Sequence, residues 1–301
     1  MPHKSHHAEL FNAERSVLIG LAYRMLGERG EAEDIVQEAY IRWMRVDLDT
    51  IKSSRAWLIR ATSRLCIDRL RALKRQRDIY EGPWLPEPWM ETDPANDLEA
   101  DENLAESLRL AFLLLLERMS ATERAAFLLR EAFDLSYAEI SNVLEKSEGA
   151  CRQLVSRAKR RIGDKPNING HQGEELSLME AFVSACASGD LEQLKGLLSE
   201  NAQLHSDGGG KRLAARNVIY SADHVARFIL GVLKQTRERS GLKVERATIN
   251  QAPGMLISDD DGLQTAMVLE GHNGRIQDIY MQRNPDKLAM LCDLPVTTIP
   301  S

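Results

Sequence analysis

The chain has 301 residues, 43% of them apolar and 28% charged, with a formal net charge of −6; that length exceeds one ordinary core and predicts two or three domains. Its longest apolar run, Leu110 to Leu116, is far too short to span a bilayer, and no apolar signal segment follows His3, His6 and His7, so a cytoplasmic protein without membrane partners is expected. Cys66, Cys151, Cys186 and Cys292 are scattered with no Cys-x-x-Cys pair, which argues against zinc and against a disulfide framework and makes each a small core residue.

The three N-terminal histidines are read as part of a disordered end rather than as a metal site. From residue 7 to 80 the spacing predicts helices throughout. Apolar residues recur at helical intervals at Leu10, Val17, Leu18, Leu21, Ala22 and Met25, and again at Ile35, Val36, Ala39, Tyr40 and Trp43. A further helix spans Ser54 to Arg77, with Trp57, Leu58, Ala61, Leu65, Ile67 and Leu70 on its apolar side. Between Lys52 and Asp78 nine basic residues face two acids. Residues 81–104 break the pattern. Pro83, Pro86 and Pro88 remove donors and clash with any preceding helical turn, so this is a linker. An exposed indole wastes a large apolar surface, so Trp84 and Trp89 imply that the linker docks on something. From Glu81 to Glu106 there are nine acids and no base, a stretch that either competes with DNA for the basic helices or is simply solvated.

Residues 105–165 return to helix, with capping boxes at Ser120-x-x-Glu123 and Ser136-x-x-Glu139. A polar linker from Gly163 to Gly173 leads into a third domain, residues 176–291. There helices near Ser177–Ser188 and Leu191–Leu198 precede strands at Lys243–Asn250, Met255–Ser258, Leu263–Glu270 and Arg275–Gln282. Helices followed by antiparallel strands indicate an α+β domain after a mainly α first half.

The pair of helices 136–144 and 147–161 has helix-turn-helix dimensions. Ser147 caps the second helix, and Ala150, Cys151, Leu154, Val155, Ala158 and Ile162 form its buried stripe. Glu148, Arg152, Gln153, Ser156, Arg157, Lys159 and Arg160 are left outward. Arg and Gln can reach base edges while Ser, Lys and the remaining Arg hold phosphates, as a recognition helix requires. An ordinary amphipathic helix with a solvated basic face is the bland alternative. An acidic chain with two concentrated basic elements suits a protein that meets phosphate at two places.

The segments Asp34-Ile35-Val36-Gln37-Glu38-Ala39-Tyr40, Ala56-Trp57-Leu58-Ile59-Arg60-Ala61 and Asp68-Arg69-Leu70-Arg71 resemble region 2 of the extracytoplasmic-function sigma factors. Those around Ser120–Arg124, Ser136–Ile140, Ser147–Arg152 and Arg157–Lys159 resemble their region 4. The motifs Trp84-Leu85-Pro86-Glu87-Pro88, Asp207-Gly208-Gly209-Gly210-Lys211 and Asn284-Pro285-Asp286-Lys287-Leu288 resemble the subgroup with a fused SnoaL-like domain, a cone-shaped α+β fold shared with polyketide cyclases and ketosteroid isomerases. The resemblance implies core RNA polymerase and promoter DNA as partners, with no separate anti-sigma factor required and an unknown small ligand as a further option in the cone. It implies that Asp34, Gln37 and Glu38 face polymerase, and that Arg60, Arg64, Asp68 and Arg71 meet the −10 element. Ser147, Arg152, Gln153, Ser156, Arg157 and Arg160 would meet the −35 element. Trp84, Leu85, Pro86, Asp207, Gly208, Gly209, Lys211, Asn284, Asp286 and Lys287 would make a regulatory contact. Arg64 stands where relatives often carry Asn, and Glu145 where they carry Gly.

No cofactor is implied. Asp207–Lys211 is not a phosphate loop, because no Gly-x-x-x-x-Gly-Lys pattern surrounds it. Were the third domain an enzyme, His205, Asp207, Asp223 and His224 would be its acid–base candidates. Two rivals therefore stand beside the transcription-initiation reading: a ligand-sensing helix-turn-helix regulator, and a cyclase- or isomerase-type enzyme with an N-terminal interaction module.

Overall fold

The computed structural model describes residues 2–90, 107–163, 172–237 and 240–292. The chain divides into two compact units, Met1–Asp78 with Asp93–Lys165, and Ile79–Thr92 with Pro166–Ser301. The Pro/Trp stretch, expected as a linker between modules, thus belongs with the C-terminal domain. The acids from Glu91 to Glu106 lie outside the described residues.

The first unit is helical: α1 (Pro2–Leu26), α2 (Arg29–Trp43), α3 (Ser54–Asp78), α4 (Leu110–Glu117), α5 (Ala121–Glu131), α6 (Tyr137–Leu144) and α7 (Glu148–Ile162). Helices α1, α2 and α3 bury Leu18, Leu21, Met25, Val36, Ala39, Leu58, Cys66 and Ile67 against one another. The N-terminus is not the disordered end expected of it. His7 is buried on α1, its Nε2 lies 2.8 Å from the Val46 carbonyl, and its own carbonyl accepts from Trp43 Nε1 at 2.8 Å. A buried indole needs a partner for its N–H, and His7 supplies it. Trp57 is half-buried, 5.4 Å from the Trp43 ring, at the edge of the core.

Glu117 sits at the carboxyl end of α4, where the helix dipole disfavours an acid. It remains ionised because Arg77 on α3 and Arg124 on α5 reach it at 2.5 and 2.7 Å. Burial pushes its carboxyl up, but the two guanidinium groups outweigh burial and hold it below its ordinary range. Arg124 also donates to the Met25 carbonyl, and Arg77 to that of Leu26, so the last turn of α1 is capped by the same pair.

The second unit holds α8 (Gln172–Ser188), α9 (Leu191–Leu197), β1 (Leu198–Asp207), β2 (Ile219–Tyr220), α10 (Ala222–Arg237), β3 (Lys243–Ile249), β4 (Ala252–Asp259), β5 (Gly262–His272), β6 (Arg275–Gln282) and α11 (Pro285–Cys292). The six strands form one sheet in the order β2-β1-β6-β5-β4-β3, with β1 parallel to β6 and every other pair antiparallel. Met179, Phe182, Leu194, Val225 and Ile229 of α8, α9 and α10 pack on Leu204, Met255, Met267, Ile279 and Met281 of the sheet. Because side chains alternate along a strand, His205, Asp207, Tyr280 and Gln282 take the opposite face. This is the α+β architecture that the strand pattern implied. Among the described residues no helix is long and apolar enough to cross a membrane.

Candidate functional site

Two groups of side chains carry the chemistry, one in each unit. In the first unit both capping boxes form, with Ser120 and Ser136 accepting from the N–H of Glu123 and Glu139 and those glutamates answering the cap N–H. The Ser136 box starts α6 and the Ser147 cap starts α7, so the helix-turn-helix is fixed by local hydrogen bonds. On α7 Cys151, Leu154, Val155 and Ala158 are buried, whereas Ala150 and Ile162 are only half-buried. Arg152, Gln153, Ser156, Arg157 and Arg160 are all exposed along the other side, with Ser147 exposed at its start. Arg152 is held by Glu148 at 2.9 Å and stacks 4.9 Å from the centre of the Tyr137 ring. Sequence reading missed Tyr137 as a support for Arg152; its place as the first residue of α6, beside Arg130 as well, was the available signal.

On α3, Arg60, Asp68 and Arg71 are exposed and Arg64 is half-buried. Arg71 pairs with Asp68 at 3.3 Å. Arg64 and Arg60 instead turn toward the helix-turn-helix and approach Glu145 at 2.5 and 3.7 Å. On α2, Asp34 and Gln37 are exposed and Glu38 half-buried, Glu38 pairing with Arg42 at 2.9 Å, while Ile35, Val36 and Ala39 point into the core. An acidic outward edge therefore stands on a helix whose other side is fixed.

In the second unit most of the residues expected to make a regulatory contact gather around Asp207. The side chain is wholly buried at the end of β1, and Lys287 Nζ lies 2.8 Å from Oδ2. Oδ1 accepts from the Tyr80 hydroxyl at 2.6 Å and from the Gly209 N–H at 2.9 Å, while Oδ2 accepts from the Leu85 N–H at 3.0 Å. Lys287 also donates to the Leu85 carbonyl at 2.6 Å and lies 4.3 Å from the Trp84 ring centre. Gln282 Nε2 donates to the Pro86 carbonyl at 3.3 Å. Further along, Trp89 N–H donates to Asn250 Oδ1 at 3.0 Å, and the Asn250 N–H returns a bond to the Trp89 carbonyl at 2.8 Å. Residues 80–90 are thereby strapped onto the domain, with Leu85, Pro86 and Trp89 buried. A buried ion pair holds only when its remaining lone pairs and protons are satisfied, and these are.

The glycines are dictated by this packing. A Cβ on Gly208 would strike the Arg212 carbonyl, and one on Gly209 would strike the Asn284 side chain. Asn284 donates to the Tyr80 hydroxyl at 2.9 Å and accepts from the Asp286 N–H at 3.1 Å. Lys211 pairs with Asp286 at 2.6 Å on the surface. Tyr80, Gln282 and Asn250 escaped the sequence reading. Tyr80 directly precedes the Pro/Trp stretch, which is a signal of sorts; nothing local marks Gln282 or Asn250.

The acid–base candidates do not form one site. Asp207 is consumed by the clasp and His205 stacks 5.3 Å from Tyr280, whereas Asp223 pairs with Arg227 and Lys195, and His224 faces Ser221 Oγ. The pocket lined by Ile229, Val232, Met267, Met281 and Gln264 measures about 30 Å³, room for a water.

Comparison with known proteins follows the same division. Residues 10–76 match the family Sigma-70 region 2, and residues 109–162 match Sigma-70, region 4. The chain is 37% identical over 227 residues to the ECF RNA polymerase sigma factor SigJ of Mycobacterium tuberculosis, covering 75% of this chain and 72% of that one. It is 31% identical over 288 residues to the probable ECF RNA polymerase sigma factor SigI of the same organism, covering 92% and 93%. The crystal structure of the Mycobacterium tuberculosis extracytoplasmic function sigma factor SigJ aligns with 94% of this chain and 98% of its own, at 31% identity and a TM-score of 0.74.

Proposed function

This chain belongs to the extracytoplasmic-function sigma factors of RNA polymerase, and from that premise we propose that its C-terminal domain regulates promoter use in cis by gripping the segment that follows α3. As a sigma factor it serves core RNA polymerase and promoter DNA in transcription initiation, and neither the ligand-sensing regulator nor the cyclase-type enzyme is favoured beside that. It carries out no catalysis of its own, acts in the cytoplasm, and requires no separate anti-sigma protein, because the regulating surface is carried on the same chain.

The observation that carries the proposal is the Asp207–Lys287 pair closed over Tyr80, Leu85 and Pro86. Tyr80, Leu85 and Pro86 follow α3 in the chain, the helix assigned to the −10 element, so the domain holds the segment that comes directly after that helix. In this reading Arg60, Arg64, Asp68 and Arg71 meet the −10 region, where strand separation needs phosphate neutralisation and a surface for unstacked bases. Ser147, Arg152, Gln153, Ser156, Arg157 and Arg160 read and hold the −35 element, and Asp34, Gln37 and Glu38 grip polymerase. The strap contacts of Trp84, Leu85, Pro86, Asp207, Gly208, Gly209, Lys211, Asn284, Asp286 and Lys287 are the regulatory ones.

Promoter-dependent run-off transcription tests the proposal. Truncation after about Gly170, and Lys287→Met in the full chain, should both change transcript yield relative to the intact protein. Equal yields from all three would refute regulation in cis.

A further inference from the structure

We infer that the turn of the helix-turn-helix is a built-in docking surface for the −10-reading edge of α3, with Glu145 as its acidic contact. The inference rests on the assignment of Arg60 and Arg64 to the −10 element.

The last carbonyls of a helix lack partners within it and carry its negative end, so a cation placed there gains twice. Arg64 takes that position on α6. Its Nε donates to the Val143 carbonyl at 2.9 Å and its Nη2 to that of Asn142 at 3.4 Å. Glu145 completes the surface, reaching Arg64 at 2.5 Å and Arg60 at 3.7 Å. It does so from the left-handed region, with φ 52° and ψ 46°, at the C-cap of α6. An L-residue with a full side chain is disfavoured there, and glycine would adopt the same backbone without strain. A strained acidic residue whose carboxylate meets two arginines from another helix points to a role for the side chain.

The docked state excludes the promoter-bound one. The −35 and −10 elements are centred about 25 base pairs apart, roughly 85 Å at 3.4 Å per pair. Glu145 lies two residues before Ser147, the cap of the recognition helix. Arg64 cannot touch Glu145 while α7 occupies one element and α3 the other. Engagement of both elements must therefore withdraw Arg60 and Arg64 from Glu145, and must also part Arg77 from Glu117. The Glu145 carboxylate is well exposed, its side chain 69% accessible, so this contact is the weaker and salt-sensitive of the two.

The test is binding of the full-length protein, without polymerase, to a fluorescent random-sequence 12-nucleotide single strand, read by anisotropy at low and high salt. Glu145→Gln should tighten binding about three- to fivefold at low salt, the scale of an exposed ion pair, with the gain shrinking at high salt. Glu145→Gly, which also relieves the backbone, should act in the same direction. In an Arg64→Gln background the gain should largely disappear. If Glu145→Gln changes nothing while Arg64→Gln weakens binding, the docking surface is wrong and the −10 assignment stands. If neither variant matters, the −10 assignment fails and the inference with it. If the gain persists undiminished in the Arg64→Gln background, loss of an acid acts generally and the specific contact is refuted.

Discussion

The clasp at Asp207 and the contact at Glu145 are both carboxylates meeting cations, yet they differ in nearly every property that decides permanence. Asp207 and Lys287 have side chains 0% and 9% accessible and a full set of hydrogen-bond partners. Glu145 is exposed and its two arginines keep much of their surface in water. A buried pair is costly to break one partner at a time, whereas an exposed pair contributes little and is screened by salt. The second unit thus holds its strap as structure, and the first holds its helix-turn-helix contact as something that DNA phosphates can displace.

The sharpest way to break this contrast is Lys287→Met, which leaves the Asp207 carboxyl group buried without its cation. We expect the second unit to lose about 3–5 kcal/mol, seen as a lowered unfolding temperature; a loss below about 1 kcal/mol would place the clasp in the same class as the Glu145 contact.

Acidity sharpens the contrast within the second unit. Burial on β6 pushes the Asp278 carboxyl up to about 6. Its protonated form is therefore favoured by folding, so the benefit is full below the ordinary carboxylate value near pH 4 and is lost as pH rises through about 6. Unfolding of the second unit should show a fall on the order of 2 kcal/mol across that window, and Asp278→Asn should flatten it. Glu117 in the first unit has the opposite sign. Held below its ordinary value, it contributes fully above about pH 4.5 and loses its contribution as pH falls further.

Smaller again is the expected loss on α7. Arg152→Ala should cost about 1–3 kcal/mol of promoter discrimination if the side chain reads a base, and binding measured against altered −35 sequences would show it. Removal of the Ser136 cap by Ser136→Ala should cost only about 1 kcal/mol of stability, read from the melting of the full chain.

Local chemistry made much of the first unit legible. Ser120/Glu123 and Ser136/Glu139 announce their helices within four residues, and the apolar stripe of α7 is a matter of spacing alone. Strands β4, β5 and β6 were legible because Gly262 and Gly274 mark their turns; β6 keeps the expected bounds, whereas β4 and β5 run further than their alternation suggested. Strand β1 was not, since Ser199, Glu200 and Asn201 give it a polar start and its far end is buried on both faces. Helix α10 was within reach, because Val225, Ala226, Ile229 and Val232 recur at helical spacing. The clasp was legible as three motifs and not as one site: Asp207 meets Tyr80 from 127 positions away, and no periodicity encodes such a pairing. The engagement of Arg64 by the end of α6 was equally hidden, since a basic helix face looks the same whether it is free or docked.

The most direct test of the account is run-off transcription by core RNA polymerase on a pool of random-sequence templates, with the intact chain and with its Arg152→Glu/Arg157→Glu variant. The account predicts transcripts whose upstream sequences converge on a shared pair of elements, with convergence at the distal element lost in the variant. Output no higher than that of core polymerase alone, or convergence unchanged in the variant, would contradict it.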